Sequence, residues 1–313
     1  MTSQTLNDTE PLFRSGIVAV MGRPNVGKSS LINRLLDYKV TIVSPKPQTT
    51  RDNIICIFNR PNLQIIFKDT PGVHVPKHKL GEHLVNTARK GMEDSDLILY
   101  LVEATDRNIL SEDMEILQMI NSVETPFLLA VNKIDKIPGW SGVDLERIAD
   151  LYTIKRRPSD KIPLSVMKRQ NLDQLVDMIS SFLPAGFPLY PEDIIIDRSE
   201  RFLASEIIRE KIFLLTHMEI PHSTAVIVEE YKSPDEYPER KDLYIRATIF
   251  VERESQKGII IGSSGDKLKQ IGSYARKDLE KLSGNRVFLD LWVKVRKSWR
   301  RSEKEVKRMM GNN

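Results

Sequence analysis

The order of apolar and polar positions divides the chain into two parts. The first part alternates short apolar runs with segments that have the apolar spacing of amphipathic helices. The apolar runs predict strands at 17–21, 53–58, 63–68, 97–103, 127–131 and 162–164. The helical spacing predicts helices at 28–37, 111–121, 143–152 and 172–182. Strands separated by helices indicate parallel βαβ units with helices on both faces of one sheet.

One pair of strands departs from this alternation. Only a few residues, among them Arg60, Pro61 and Asn62, separate the apolar runs 53–58 and 63–68. A connection this short joins antiparallel strands, because parallel neighbours need a long crossover. We therefore predict a mostly parallel sheet that contains one antiparallel strand.

A change of composition at 183–191 separates the two parts. This stretch holds three prolines and a glycine, which is typical of a linker. We predict a tail at 1–13, a first domain at 14–183, a linker at 184–197 and a second domain at 198–313. The pattern in the second domain predicts helices at 200–216 and 266–281, strands at 225–231, 243–252 and 287–295, and a basic terminal helix. Periodicity alone predicts a further strand at 259–261.

Composition and charge limit the class of protein. The chain has 313 residues, of which 40% are apolar and 29% charged, as in ordinary folded proteins. Cys56 is the only cysteine, so no internal disulfide forms, and its apolar setting predicts a buried, inert thiol. The sequence has no apolar run long enough to span a bilayer and no secretory signal pattern in its first residues. We expect a cytoplasmic protein.

The charge is unevenly distributed along the chain. Residues 253–313 carry 16 Lys and Arg against 7 Asp and Glu, a net charge of +9. The whole chain carries only +4, so residues 1–252 carry −5. A basic end on an acidic chain indicates either an anionic partner for that end or a solvated face of lysines and arginines.

A phosphate-binding loop follows the first predicted strand. The residues GRPNVGKS at 22–29 fit the G-x-x-x-x-G-K-S pattern between a strand and a helix. Main-chain N–H groups in such a loop surround a phosphate, and the helix N-terminus adds partial positive charge. We predict that Lys28 reaches the terminal phosphates and that the Ser29 hydroxyl binds Mg²⁺. The nucleotide-binding residues predicted here are Gly22, Arg23, Pro24, Asn25, Val26, Gly27, Lys28, Ser29 and Ser30.

A second motif, D-T-P-G, follows the strand predicted at 63–68. The Asp69 carboxylate at a strand end can hold Mg²⁺, and the N–H of Gly72 can reach a terminal phosphate. A third motif, N-K-I-D at 132–135, selects the base. Asp135 can accept hydrogen bonds from guanine N1–H and the 2-amino group, a donor pair that adenine lacks.

The rest of the third motif supports the same nucleotide. Lys133 can lie across the base, and Asn132 can tie this segment to the phosphate loop. The main chain at Ser165 or Val166 is predicted to contact the guanine oxygen. Three motifs in this order predict a site for GTP and GDP.

A polar stretch before the hairpin contains Thr49 and Thr50. A threonine there can give its hydroxyl to Mg²⁺ and its N–H to the γ-phosphate, so the segment becomes ordered with GTP and looser with GDP. Either threonine is a candidate, and we favour Thr50. Residues 72–90 are predicted to be the matching second switch segment.

The position after D-T-P-G holds Val73, which cannot orient the attacking water as the glutamine of small signalling GTPases does. Asn25 offers another contribution, since several GTPases with asparagine at this place bind K⁺ beside the phosphates. The alternative role for Asn25 is to stabilise the loop. We predict slow intrinsic hydrolysis, with Lys28, Asn25, Thr50 and Gly72 as the catalytic residues.

The basic second domain contains the loop G-S-S-G at 262–265 between an apolar turn and a predicted helix. In KH domains a G-x-x-G loop clamps the backbone of single-stranded nucleic acid, with nearby lysines on the phosphates. The RNA-binding residues predicted here are Lys257, Gly262, Ser263, Ser264, Gly265, Lys267 and Lys269.

These motifs, together with QTTR at 48–51 and LWVKV at 291–295, resemble those of the Era GTPase family over about residues 14–300. The resemblance implies a Ras-like GTPase domain, a KH domain of the αββααβ type, and a short helix at 259–261. It implies binding near the 3′ end of 16S rRNA, a role in assembling the small (30S) ribosomal subunit, and for some members a place at the inner face of the membrane. The SVM at 165–167 departs from the usual SA-containing form.

We therefore predict an α/β P-loop GTPase domain followed by an α+β KH domain, in a monomer that binds GTP, GDP, Mg²⁺ and RNA. Two alternatives are an RNA-binding module for which nucleotide is only an affinity switch, and a metabolic phosphotransferase. The N-K-I-D motif and the basic G-x-x-G end disfavour the phosphotransferase.

Overall fold

The computed structural model describes residues 12–38, 40–42, 46, 49–73 and 78–310. These residues form a six-stranded sheet followed by a three-stranded sheet, each packed against helices. The predicted fold class, a P-loop α/β domain followed by an α+β KH domain, is confirmed. The first part of the predicted tail, up to residue 11, lies outside the described residues.

The first domain alternates strands and helices as predicted. Its strands are β1 Arg14–Gly22, β2 Ile54–Arg60, β3 Leu63–Asp69, β4 Leu97–Glu103, β5 Phe127–Asn132 and β6 Asp160–Pro163. Its helices are α1 Lys28–Leu35, α2 Lys79–Glu93, α3 Ser111–Ile120, α4 Gly142–Leu151 and α5 Leu172–Phe182. The strand order is β2-β3-β1-β4-β5-β6, and only the β2–β3 pair is antiparallel among these six strands. The predicted hairpin is therefore confirmed.

Two apolar clusters cover the two faces of this sheet. Alternate residues of a strand point to opposite faces, so Val18 packs with α1 and α5 whereas Ala19 packs with α2, α3 and α4. The inner strand β4 is buried over nearly its whole length. Strands buried on both faces read as continuous apolar runs, which is why the sequence pattern located them.

Helix α2 was not among the predicted helices, and residues 72–90 were predicted only as the second switch segment. Leu80, Leu84, Ala88 and Met92 recur every four residues and are all buried. This spacing places them on one face of a helix. Two glycines within the segment weaken the helical signal, which tertiary packing then overrides.

The predicted linker at 184–197 lies along the edge of the first sheet. The N–H of Ile57 donates to the carbonyl of Ile195 over 2.8 Å, and the N–H of Asp197 donates to that of Ile55 over 3.1 Å. The Gln64 amide donates to the carbonyl of Tyr190 over 2.8 Å. The two main-chain bonds satisfy part of the otherwise open edge of β2, and the Gln64 bond ties the linker to β3.

The second domain contains the elements α, β, β, α, α, β that the resemblance implied, with the short helix α7 and the terminal helix α10 in addition. Its elements are α6 Glu200–Leu215, α7 Ile220–Ser223, β7 Ala225–Lys232, β8 Leu243–Val251, α8 Glu254–Ile261, α9 Asp266–Ser283, β9 Val287–Val295 and α10 Glu303–Met310. Strand β8 lies between an antiparallel β7 and a parallel β9. The periodicity-based strand at 259–261 is wrong: these residues end α8, with Ile260 buried and Ile259 51% exposed. The implied short helix is confirmed.

The C-terminal segment returns to the first domain. A 3₁₀ turn, Trp299–Arg301, and helix α10 pack on α2 through an apolar cluster. The cluster joins Leu80 and Leu84 to Trp299, Val306 and Met309. Among the helices of the described residues, none has the length and apolar character needed to cross a bilayer.

Candidate functional site

The phosphate loop connects the end of β1 to the start of α1. Gly27 has a φ of 110°, and a Cβ there would lie 2.5 Å from Asn132 Nδ2. Glycine adopts such a conformation without steric cost. Asn25 also has a positive φ, of 67°, which asparagine tolerates better than most residues. The sequence therefore places glycine and asparagine where the loop must turn and where another strand end approaches it.

Asn132 links three segments around the site. Its Nδ2 donates to the carbonyl of Val26 over 2.8 Å, as the sequence analysis proposed for this residue. Its Oδ1 accepts from the N–H groups of Lys133, at 2.8 Å, and Val166, at 3.1 Å. The amide thus connects the phosphate loop to the two loops that follow β5 and β6.

Lys28 lies buried at the start of α1. Its Nζ donates to the carbonyls of Gly22 and Arg23 over 2.8 and 3.0 Å. Burial lowers the pKa of this ammonium to about 8, and the nearby Asp69 carboxylate opposes the shift. These hydrogen bonds hold the ammonium at the phosphate loop, which is where it must lie to make the predicted contact with the terminal phosphates.

Three oxygen-bearing side chains predicted to bind Mg²⁺ meet beside the loop. Ser29 Oγ donates to Asp69 Oδ2 over 2.7 Å and lies 3.0 Å from Thr50 Oγ1. Thr50 Oγ1 lies 3.4 Å from the same carboxylate oxygen. Thr49 instead donates its hydroxyl to the carbonyl of Lys46 over 2.7 Å. The geometry therefore favours Thr50 over Thr49 as the switch ligand.

This cluster fits a hard divalent cation. Burial raises the pKa of Asp69 to about 6, against the hydrogen bonds from Ser29 and Thr50 and the charge of Lys28. Among the described residues, no hydrogen-bond donor reaches the buried Asp69 Oδ1. A carboxylate and two hydroxyls that converge in this way are the oxygen donors Mg²⁺ prefers.

A cavity of about 700 Å³ lies next to the loop. Asp135 lines it and accepts a hydrogen bond from Ser165 Oγ at 2.5 Å, which orients the carboxylate. Lys133 Nζ donates to the carbonyl of Asn25 over 2.8 Å and pairs with Glu103. Met167, from the predicted segment at 165–167, also lines the cavity, and the lining residues not predicted from the sequence are Asn33, Arg34, Asp37, Tyr38, Lys136 and Glu210.

The predicted main-chain contact with the guanine oxygen is placed only in part. The N–H of Val166 donates to Asn132, and that of Ser165 donates to the carbonyl of Gln170 over 3.4 Å. Val166 still lines the cavity. The contact to the base at these two residues stays a prediction.

Arg23 has a different environment from its neighbours in the loop. Its guanidinium pairs with Asp106 at 2.6 Å and Asp113 at 3.0 Å, inside the domain. The hydroxyls of Tyr100 and Tyr152 donate to Asp113 and Asp106 over 2.9 and 2.8 Å respectively. The side chain of Arg23 therefore anchors the phosphate loop to the interior of the domain. Only the main chain of Arg23 remains available to a nucleotide. No local motif signals this network, whose members lie far apart in sequence.

Gly72 packs directly against the phosphate loop. A Cβ at this position would lie 2.9 Å from Pro24 N, so only glycine permits this approach. The next residue, Val73, is 1% exposed and belongs to an apolar cluster. Its side chain offers no polar group to a water molecule. Residues 48 and 74–77, parts of the two predicted switch segments, lie outside the described residues.

The G-x-x-G loop lies between α8 and α9 as predicted. Gly262 and Gly265 have φ values of 76° and 85°, which glycine adopts readily. Ser263, Ser264 and Lys269 are exposed or partly exposed, whereas Lys257 and Lys267 are half-buried. The loop thus presents main chain and lysines at the N-terminus of an 18-residue helix, a favourable place for phosphate.

Comparisons with known proteins agree with this geometry. The family model of the 50S ribosome-binding GTPases matches residues 17–133, and the model of the KH domain matches residues 219–300. The chain is 46% identical to GTPase Era of Geotalea uraniireducens (strain Rf4), over 96% of this chain and 98% of that one. It is 47% identical to GTPase Era of Heliobacterium modesticaldum, over 92% and 94%.

Two solved structures are similar over nearly the whole chain. One is Era in complex with MgGDPNP and nucleotides 1506–1542 of 16S ribosomal RNA, with a TM-score of 0.89, 43% identity, and coverage of 95% of this chain and 99% of that chain. The other is a variant of Aquifex aeolicus Era bound to GDP·AlF4⁻, with a TM-score of 0.88, the same identity and the same coverage.

Fold and site together define a GTP-hydrolysing P-loop protein with a C-terminal KH domain. The phosphate loop lies on the first domain and the G-x-x-G loop on the second. With 46% identity over 96% of its length, the chain belongs to the Era GTPase family.

The first prediction concerns base selection. Asp135→Asn should lower GTP affinity by about a hundredfold and raise XTP affinity, because the site loses a charged acceptor of two guanine donors. Titration with fluorescent GTP and XTP analogues measures the change. Asp150→Asn, which makes the same change on an exposed face of α4, should leave both affinities unaltered. Unchanged GTP affinity in Asp135→Asn refutes the base-recognition role.

Proposed function

We propose that this chain is a GTP-controlled switch that binds 16S rRNA near its 3′ end and acts in assembly of the 30S ribosomal subunit. The observation that carries the proposal is a guanine-nucleotide site on the same chain as a G-x-x-G loop whose two glycines have positive φ values. A relative with 43% identity is solved with MgGDPNP and a 16S rRNA fragment, which supports this choice of ligands. The proposed boundaries are 14–183 for the GTPase domain, 184–197 for the linker and 198–313 for the KH domain.

Hydrolysis in this proposal is attack of water on the γ-phosphate. Lys28, the N–H of Gly72 and the main chain of the phosphate loop stabilise the charge that develops on the phosphate oxygens. Ser29, Thr50 and Asp69 would hold Mg²⁺, which would supply positive charge beside the phosphates. Intrinsic turnover is slow in this account because the buried Val73 cannot orient the water.

We further propose that K⁺ contributes to catalysis through Asn25. The residue lines the nucleotide cavity in a left-handed conformation, and its carbonyl is held by Lys133. The Asn25 side-chain oxygen would offer a ligand to a monovalent cation, which would supply charge where other GTPases use an arginine. Cytoplasmic location, a monomeric state and peripheral binding at the inner face of the membrane stay predictions.

The second prediction tests RNA binding. Replacing both Gly262 and Gly265 with aspartate should weaken binding of a 16S rRNA 3′-end oligonucleotide at least about tenfold, because two carboxylates would face the phosphates. GTP affinity should not change. Fluorescence anisotropy measures both affinities. Gly142→Asp is the matched control, since Gly142 has open space around it and no left-handed φ.

Both loop glycines have left-handed φ values, so their replacement also strains the loop. The double variant Lys267→Ala and Lys269→Ala keeps the glycines and should weaken binding with a smaller salt dependence. RNA affinity that survives both sets of changes contradicts the KH-domain proposal.

The third prediction concerns the monovalent ion. Exchange of K⁺ for Na⁺ should lower GTP turnover several-fold, on the order of 1 kcal/mol in barrier, because the smaller ion fits the oxygen donors poorly. In Asn25→Ala turnover should be low and insensitive to the exchange. Phosphate release under single-turnover conditions measures the rate. Equal wild-type rates in the two ions refute the role of K⁺.

A further inference from the structure

Arg51 follows Thr50, the candidate Mg²⁺ ligand, and its side chain contacts the KH domain. Its guanidinium donates to the carbonyls of Pro221, His222 and Thr224 over 3.4, 3.2 and 2.7 Å. These carbonyls lie at the C-terminal end of the short helix α7 in the KH domain. Arg51 is only 3% exposed, so the contact is shielded from water.

Trp299 completes the surroundings of Arg51. The Arg51 guanidinium carbon lies 5.9 Å from the centre of the Trp299 ring, within range of a cation–π interaction. The Trp299 indole N–H donates to the carbonyl of Ser223 over 3.0 Å, so the same ring holds the end of α7 in place. We call the end of α7 and Trp299 the arginine socket.

The KH domain and the Trp299 turn that follows it contact both switch segments. Trp299 packs in one apolar cluster with Leu80 and Leu84 of α2, which lies within the second switch segment. On the first switch segment, Arg209 of α6 donates to the carbonyl of Thr49. The KH domain thus contacts the residues on both sides of Thr50.

Anchoring Arg51 restricts Thr50. Adjacent Cα atoms are about 3.8 Å apart, so a fixed Arg51 leaves Thr50 little freedom to move away. In this arrangement Thr50 Oγ1 lies 3.0 Å from Ser29 Oγ, beside the Asp69 carboxylate. The threonine is therefore already where Mg²⁺ and a γ-phosphate would meet it.

We propose that Arg51 is a positioning residue, which holds Thr50 in its GTP-binding conformation by docking into the arginine socket of the KH domain. GTP binding and the placement of the KH domain are then coupled through one side chain, and the coupling is reciprocal. Helix α6 contacts both α7 and α9, and α9 starts at the G-x-x-G loop. A change in the position of α7 would therefore be passed to the RNA-binding loop through these helices. This inference rests on the proposed GTPase function and leaves the identity of the RNA open.

The test compares GTP and GDP, because only GTP carries the γ-phosphate that Thr50 would contact. In Arg51→Ala, affinity for a non-hydrolysable GTP analogue with Mg²⁺ should fall about tenfold, a usual size for coupling between sites. GDP affinity should stay within about twofold of wild type. Arg51→Lys keeps the charge but lacks the forked donors, so its affinity for the GTP analogue should lie between those of wild type and Arg51→Ala. If Arg51 only stabilised the fold, its replacement would weaken the binding of GTP analogue and GDP equally.

Arg198→Ala is the matched control. Arg198 also donates to a main-chain carbonyl of the first domain, that of Asn53, but it does not adjoin Thr50. Its removal should leave the ratio of GTP to GDP affinity unchanged. Thermal unfolding of each variant, together with GDP affinity, reports whether the nucleotide site remains folded.

A change on the KH side extends the test. Trp299→Phe keeps an aromatic ring but loses the bond to Ser223, and should lower GTP-analogue affinity about threefold while sparing GDP. In the double variant with Arg51→Ala, Trp299→Phe should cause almost no further loss of GTP-analogue affinity, because both residues act through the same socket. Equal losses for GTP and GDP in Arg51→Ala and Arg51→Lys, or full additivity with Trp299→Phe, overturn the proposal. The assay contains no RNA, so it is independent of whether 16S rRNA is the partner.

Discussion

The parallel arrangement of β1, β3 and β5 is the constraint on which the nucleotide site depends. Parallel neighbours end at the same edge of a sheet, so the phosphate loop after β1, Asp69 at the end of β3 and Asn132 at the end of β5 come together. Residues more than 100 positions apart then meet within hydrogen-bond distance, as Asn132 and Val26 do. The buried apolar strands fix this edge, and the polar residues that follow them perform the chemistry.

Much of this arrangement was predictable because each strand carries its functional residue directly after it. The phosphate loop, Asp69 and Asn132 follow apolar runs, so strand prediction alone places them at one edge. The hairpin could also be predicted, since its connection is too short for a crossover. The antiparallel β2 adds the edge along which the linker packs.

Other features had no local signal. The anchor of Arg23 depends on Asp106 and Asp113, which only the folded sheet brings near the loop. Helix α2 has the apolar spacing of a helix, but two glycines weaken that signal and it was not predicted. At 259–261 a run of three isoleucines looked like a strand, whereas the structure buries one of them on a helix. Short apolar runs are ambiguous in this way because period and length do not separate the two elements.

The contact between the two domains gives the nucleotide a route to the RNA-binding loop. The Arg51 guanidinium is buried between the two domains, and its hydrogen bonds to three main-chain carbonyls of the KH domain offset the cost of taking the charge out of water. The structure shows Arg51 docked in the arginine socket, and the proposal is that its release would free Thr50. Nucleotide that favours one state of Arg51 favours one placement of the KH domain.

The most direct measurement of the central claim is the affinity for a 16S rRNA 3′-end oligonucleotide in the presence of a GTP analogue and in the presence of GDP, each with Mg²⁺. The account predicts tighter RNA binding with the GTP analogue, by about tenfold, and an equal RNA-induced gain in affinity for that analogue. Equal RNA affinity in the two nucleotide states would contradict the account, because the nucleotide site and the KH domain would then act independently.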